Sequence, residues 1–283
     1  MLIPNNFEGR KIVLATMHHK EKVIGPILAQ ELGLTCFVPD HFDTDVFGAF
    51  SGEISRENNA LTTVRAKCLA AMVATHSDIG IASEGSFGPH PNAGFVVAND
   101  EIVLLIDQKN DLEITGRSLS LNTNFFSKEI SQEKELWDFA AKANFPSHGL
   151  LLRSKEIKNF EVRKGIVCDK ELIEQFRYFQ SKYESFFVET DMRAMYNPTR
   201  MEVIAQATRQ LVKNIKSCCP QCQIPGFTVV EVRLGLPCSW CKSPTESVKS
   251  HIYSCSKCQY ATEVWYPHQK KTEDPTYCNY CNP

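Results

Sequence analysis

The chain has 283 residues, 43% of them hydrophobic, with 31 Lys and Arg against 33 Asp and Glu. That is enough apolar material for one large domain or for a medium and a small one. A formal charge of −2 argues against a broad basic field for nucleic acid and leaves room only for a local patch. No segment approaches the roughly 18 unbroken apolar residues of a membrane helix, and the opening MLIPNNFEGRK lacks the charged start and apolar core of a secretion signal. A soluble, cytoplasmic protein with no membrane partner is therefore expected.

Residues 11–15 (KIVLA) predict a short buried strand, and Ile24, Ile27, Leu28 and Leu32 at helical spacing predict a helix closed by Gly33. LTCFV at 34–38 reads as a second strand. A long helix is expected over 56–75, with Leu61, Val64, Cys68 and Met72 on one stripe. The next run, HSDIGIASEGSFGPHP (76–91), reads as a buried strand that ends in a carboxylate, Glu84, inside a glycine-rich turn. Strands at 95–98, 101–107 and 112–121, the last broken at Gly116, form an antiparallel series. Helices at 134–143 and 169–183, separated by a strand at 150–153, lead to a strand at 186–189. A last helix is marked by Thr199 and Glu202 as a capping box, followed by Met201, Ile204, Ala207, Leu211 and Ile215 at helical spacing. This alternation predicts an α/β domain with a mixed sheet over residues 1–216.

Nine of the twelve cysteines crowd into the end of the chain. They form Cys219-Pro-Gln-Cys222, Cys238-Ser-Trp-Cys241, Cys255-Ser-Lys-Cys258 and Cys278-Asn-Tyr-Cys281, with Cys218 left over. A CxxC turn lets two thiolates reach one tetrahedral ion, so four turns predict two four-cysteine sites and two structural Zn2+ ions. Disulfides are the competing reading, and a reducing compartment disfavours them. Residues 217–283 then form a double zinc ribbon. Nested pairing, second turn with third and first with fourth, is slightly preferred, and sequential pairing fits the spacing as well. Six Lys/Arg against five Asp/Glu in this segment give +1, and two zinc-tetrathiolate centres bring the total to about −3. Phosphate binding depends on surplus cations, so nucleic acid is not the favoured partner of the ribbons.

The polar residues of the first part suggest a cleft. Lys20 and Lys22 follow the first strand at the strand-to-helix turn where α/β folds bind ligands. Glu57 lies one turn before Leu61 and extends the stripe of the second helix, while Arg65 and Lys67 flank it. Glu84 closes the next strand, and Arg193 and Arg200 bracket the start of the last helix, whose dipole favours anions. Two carboxylates, Glu57 and Glu84, with several cations suit a metal ion on the phosphates of a nucleotide. Each residue also has a plainer role: Lys20, Lys22 and Lys67 as solvated charges, Arg193 as a partner of Asp191, Glu57 as a helix-start acid.

KIVLAT, GEISRENNALTTVRAKC and DIGIASEGSFG resemble the successive motifs of the inosine triphosphate pyrophosphatase superfamily, with its non-canonical purine nucleoside triphosphatase branch. The resemblance implies phosphate contacts from Lys20 and from Arg65 or Lys67. It also implies Mg2+ (or Mn2+) ligation by Glu57 and Glu84, and a base-reading role for Asn197-Pro198-Thr199-Arg200. Ser83-Glu84 replaces the paired aspartates common in that superfamily, and His18 or His19 its usual asparagine. Over its full length the chain is also similar to a bacterial family of unknown function that joins such a domain to two zinc knuckle sets.

The leading expectation is a Mg2+-dependent hydrolase of a nucleoside triphosphate or related phosphoanhydride. Asp78 or Glu53 would serve as general base and His90 as acid, in a 86–91 turn that closes over the ligand. An RNA-binding or RNA-processing protein and a non-catalytic nucleotide sensor, with a homodimer or partner protein contacted through the ribbons, are the alternatives.

Overall fold

A computed structural model describes residues 7–40, 42, 60–90, 93–156 and 160–283. The chain divides into two compact units, Met1–Val212 and Lys213–Pro283.

The first unit opens with β1 (Lys11–Ala15), α1 (Glu21–Leu32) and β2 (Thr35–Phe37). Gly33 ends α1 in the left-handed region, φ 67°, and its N–H bonds the carbonyls of Ala29 and Leu28; a side chain would be strained there. After α2 (Ala60–Thr75) come three long strands, β3 (Ile79–His90), β4 (Ala93–Asp107) and β5 (Leu112–Ser120). The sheet order is β2-β1-β3-β4-β5, with β1 parallel to both neighbours and β3 to β5 antiparallel. A parallel pair needs a crossover, which α1 provides, whereas short connections suffice for the antiparallel part. Val64, Cys68, Ala71 and Met72 of α2 pack on Val13, Ala15, Ala82, Leu104 and Ile106.

Several expectations change here. The expected turn at Glu84 does not exist: β3 continues to His90, paired throughout with β4. Nor is there a break at Gly116 or a gap between 98 and 101. These glycines serve close approach, not chain reversal. A Cβ at Gly85 would strike the carboxylate of Glu101, its partner in register on β4, and a Cβ at Gly116 would strike the backbone of Ala207 and Leu211. On α2 the stripe also shifts. Leu61 is exposed, and Lys67 joins the buried face.

A second, antiparallel sheet contains β6 (Ser127–Ile130), β7 (Leu150–Arg153), β8 (Val162–Ile166) and β9 (Phe186–Thr190), in the order β6-β9-β7-β8. The helices α3 (Glu133–Lys142) and α4 (Asp169–Gln180) lay Leu136, Phe139, Leu172, Phe176 and Phe179 against Leu150, Leu152, Phe186 and Val188. The edge strands β6 and β8 were not anticipated. SKEI and VRKGI are mostly polar, and each buries only its final isoleucine.

The last helix of the unit, α5 (Pro198–Lys216), starts two residues earlier than a cap at Thr199 implies. Asn197 Oδ1 accepts from Arg200 N–H at 3.0 Å, and Pro198 takes the first helical position, which has no N–H to satisfy. Asn197 is therefore the cap in place of Thr199, whose hydroxyl bonds His148 Nε2 at 2.9 Å.

In the second unit, β10 (Thr228–Leu234), β11 (Val248–Ser254) and β12 (Ala261–Trp265) form one antiparallel sheet in chain order. Its apolar core is small: Phe227 with Tyr253, Tyr260 and the cysteines around them. Among the described residues no helix is long and apolar enough to cross a membrane.

Candidate functional site

β1 stops at Ala15, opposite Ala82, while β3 runs on to His90. The loop 16–20 turns into the space left beside β3, and Lys20, the residue that opens α1, is buried there. Its Nζ donates to Ser83 Oγ at 2.9 Å and to Ser83 O at 3.4 Å. Among the described residues Lys20 makes no ion pair with a carboxylate. Burial, then the nearby Arg200, pushes its pKa down to about 8, so it is still charged at neutral pH.

The pleat of β3 and β4 sorts the remaining groups. Glu84 pairs in register with Ile102 and faces α2, where Lys67 Nζ meets its Oε2 at 2.6 Å; both side chains are buried. Glu101 shares the opposite face with Gly85. There Arg200 Nε donates to Glu101 Oε1 at 2.6 Å, and a terminal nitrogen of Arg200 donates to Met192 O at 2.6 Å. Arg200 also lies over the ring of Phe87, 5.7 Å from its centroid, and Phe87 stacks on Phe125. Two residues before Glu101 on the same face, Asn99 is fully buried. Neither polar atom of its side chain, nor Glu101 Oε2, has a hydrogen-bond partner among the described residues. Orphaned buried polar groups cost about 1–3 kcal/mol each. Arg193 is held by Asp191 at 2.6 Å, and Asp191 Oδ2 also accepts from Gly165 N–H.

His18, two residues before Lys20, belongs to the same region. Burial, then the positive charges of Lys20, Arg200 and Arg193, pushes its pKa down to about 4 against the pull of Asp191, so its imidazole is neutral at pH 7. Four cations (Lys20, Lys67, Arg193 and Arg200) thus face three carboxylates (Glu84, Glu101 and Asp191) among the described residues, and Lys20 is the unmatched one.

The structure does not bring every expected residue to this cluster. Lys22 is exposed on α1. Arg65 lies on the outer side of α2 and pairs with Glu113 at 2.9 Å, because two positions along a helix separate it from buried Lys67 by about 200°. Asp78 precedes β3 and pairs with Arg10 at 3.2 Å, while His90 ends the same strand. Each is six residues from Glu84, about 20 Å along an extended strand, so neither reaches it. Glu57 and Glu53 lie outside the described residues. Sequence reasoning missed Glu101 and Asn99 and did not pair Ser83 with Lys20, whereas the Arg193–Asp191 pair it weighed is present. The available signal was the period of two in Asn99, Glu101, Val103 and Leu105, which marks one buried face carrying two polar residues.

A divalent ion is not supported by the residues described. Glu84 is already neutralised by Lys67, and Glu101 lies on the other face of the sheet in the grip of Arg200. The described residues do not complete a Mg2+ site.

The cysteines of the second unit do form two clusters, each of which could hold one zinc ion. Cys219, Cys222, Cys255 and Cys258 make one, and Cys238, Cys241, Cys278 and Cys281 the other, with all ligand atoms of a cluster within 4.8 Å of each other. The closest Sγ pairs stand 3.5 to 3.9 Å apart. Disulfides bond at about 2.0 Å. Four thiolates around a tetrahedral zinc at about 2.3 Å would sit roughly 3.8 Å from one another. The pairing is neither nested nor sequential: first turn joins third, and second joins fourth. Strand direction explains it. Because β10 and β11 are antiparallel, Thr228 lies opposite Ser254 and Leu234 opposite Val248. The turns before β10 and after β11 therefore meet at one end of the sheet. β12 then carries the chain back to the other end, where Glu273 bridges to Cys238 and the last turn joins the second.

The first three turns share a backbone. Gln223, Lys242 and Gln259, each following the second cysteine, adopt φ of 60 to 62°, and their N–H groups bond the carbonyls of Cys219, Cys238 and Cys255. The N–H of each first cysteine donates in turn to a carbonyl five residues on. This geometry aims both thiols of a turn at one point.

A family model described as "Domain of unknown function (DUF6671)" matches residues 67–283. No curated protein matches the chain.

Proposed function

The chain belongs to the DUF6671 family, and from that premise we propose that its α/β unit binds a nucleoside triphosphate, or a related phosphoanhydride, and hydrolyses it. One observation carries this reading: among the described residues, the hydrogen-bond partner of buried, charged Lys20 at the start of α1 is neutral Ser83. A buried lysine that makes no ion pair with a carboxylate among the described residues suits an anion such as phosphate. The neighbouring face supports the nucleotide part. Asn99 and Glu101 Oε2 offer a donor and acceptors that no described residue uses. The motif likeness to the inosine triphosphate pyrophosphatase superfamily points the same way. Mg2+, carried on the substrate's phosphates, enters the reading as a condition of the assay, and no step is assigned to it.

Neutral His18 and the three ion pairs leave the described cluster without an uncommitted carboxylate base. That favours, as a second reading, a nucleotide sensor that binds without turnover. One experiment separates the two: phosphate and pyrophosphate release from a panel of standard and deaminated nucleoside triphosphates, with Mg2+ or Mn2+, alongside equilibrium binding. Turnover lost by roughly 100-fold in Lys20→Met supports hydrolysis. Binding without turnover selects the sensor, and neither binding nor turnover by the wild type overturns both.

In the second unit each four-cysteine cluster takes one structural zinc. Four protein thiolates leave the metal no open position for chemistry, so its role is to hold the fold. The acidic balance of the zinc-loaded unit makes a protein, in place of a nucleic acid, its favoured partner.

A further inference from the structure

β10 is an edge strand of the second unit, and its sequence, TVVEVRL, is exposed almost along its whole length. Val230 is 63% and Leu234 54% accessible. On the side away from β11 the strand makes no backbone hydrogen bond among the described residues. Edge strands of stable monomers are normally short, bulged, charged or covered, because a free row of N–H and C=O groups recruits another strand. β10 is bulged, with register shifts after Val229 and Arg233, yet four of its seven residues are aliphatic.

We propose that β10 is a homodimer interface, in which two copies pair this strand antiparallel about a two-fold axis at Val232. The sequence is self-complementary about that point and no other nearby. Val232 meets Val232 of the second copy, Glu231 meets Arg233, and Val230 meets Leu234; the same contacts repeat on the other side of the axis, as a two-fold interface requires. A shift to Glu231 as centre would oppose two carboxylates, which is destabilising. Arg233 is also held ready. Glu231 at 2.9 Å and Glu263 at 3.3 Å in its own chain keep its guanidinium in place on the strand, where it can share a second copy's Glu231. The sheet then becomes six-stranded and continuous.

The test uses the full-length protein and sedimentation equilibrium from 1 to 100 μM, with far-UV circular dichroism to confirm the fold. The wild type should dimerise. Arg233→Glu and Glu231→Arg each place like charges opposite one another twice per dimer and should weaken association by roughly tenfold or more. The double variant Glu231→Arg/Arg233→Glu restores both pairs and should regain the wild-type dimer. A wild type monomeric at 100 μM, single variants that dimerise like the wild type, or a double variant no stronger than the single ones would each overturn the interface.

Discussion

The two units bury charge in opposite ways. In the first, Lys67–Glu84 and Arg200–Glu101 lie inside a large apolar framework of sheets and helices. Removing such groups from water costs several kcal/mol per ion, and the surrounding hydrophobic burial offsets it. The second unit has a handful of aromatic residues for a core, and eight cysteine sulfurs stand in two tight groups that neutral thiols alone give little reason to form. A unit of this size needs a staple. The lesson is that the first unit can tolerate charge to make a site, while the second depends on what its charges bind.

The largest test of that contrast is metal removal. Stripping zinc with a strong chelator, or Cys255→Ser, should unfold the second unit, since a structural zinc contributes about 10–16 kcal/mol of folding free energy. Amide spectra should lose the dispersed signals of residues 213–283 while those of the first unit persist, and metal analysis of the untreated protein should find two zincs per chain. A second unit that stays folded and metal-free would end the comparison.

A smaller effect is expected within the first unit. Lys67→Met leaves Glu84 buried without its partner and should cost about 3–5 kcal/mol in chemical denaturation. The double variant Lys67→Met/Glu84→Met removes both charges and should recover most of that loss. If the single variant is neutral, the pair is not the buried couple that the geometry shows.

The smallest effect concerns Lys20 and pH. Its pKa in the folded chain, about 8, lies below the ordinary 10.5. The unfolded chain therefore holds the extra proton between these values, and stability contributed by this group rises as pH climbs from about 8 to 10.5. Anion binding runs the other way. Calorimetric affinity for inorganic pyrophosphate should fall above about pH 8, by up to tenfold per unit, as Lys20 loses its charge, and Lys20→Met should flatten the profile. A profile unchanged by that substitution would remove Lys20 from the anion site.

Much of the regular structure was legible. KIVLA, LLLR and the Gly33 stop lie where periodicity and capping put them, because local pattern and tertiary context agree there. The misread glycines and the misplaced lysine share one cause. Gly85, Gly88 and Gly116 read as chain reversal, yet Gly85 and Gly116 are places where a carboxylate or a helix backbone presses against a strand, and only the neighbouring element shows it. Lys67 looked like a solvated flank for a similar reason. A lysine on the buried side of a helix is credible only once Glu84 is known to lie opposite.

By itself, then, the sequence determined the mixed α/β character of the first unit and the eight cysteines whose two clusters could each hold a zinc ion. Residue type and short-range spacing carry that information. Tertiary structure decided the rest: that Glu84 belongs to Lys67 and Arg200 to Glu101, that Asp78 and His90 stand too far along β3 to join them, and that the CxxC turns pair first with third and second with fourth. The reason is physical. Spacing along the chain limits which groups can meet, but strand direction and the side chain's face on the pleat choose among them, and both depend on residues far away in sequence.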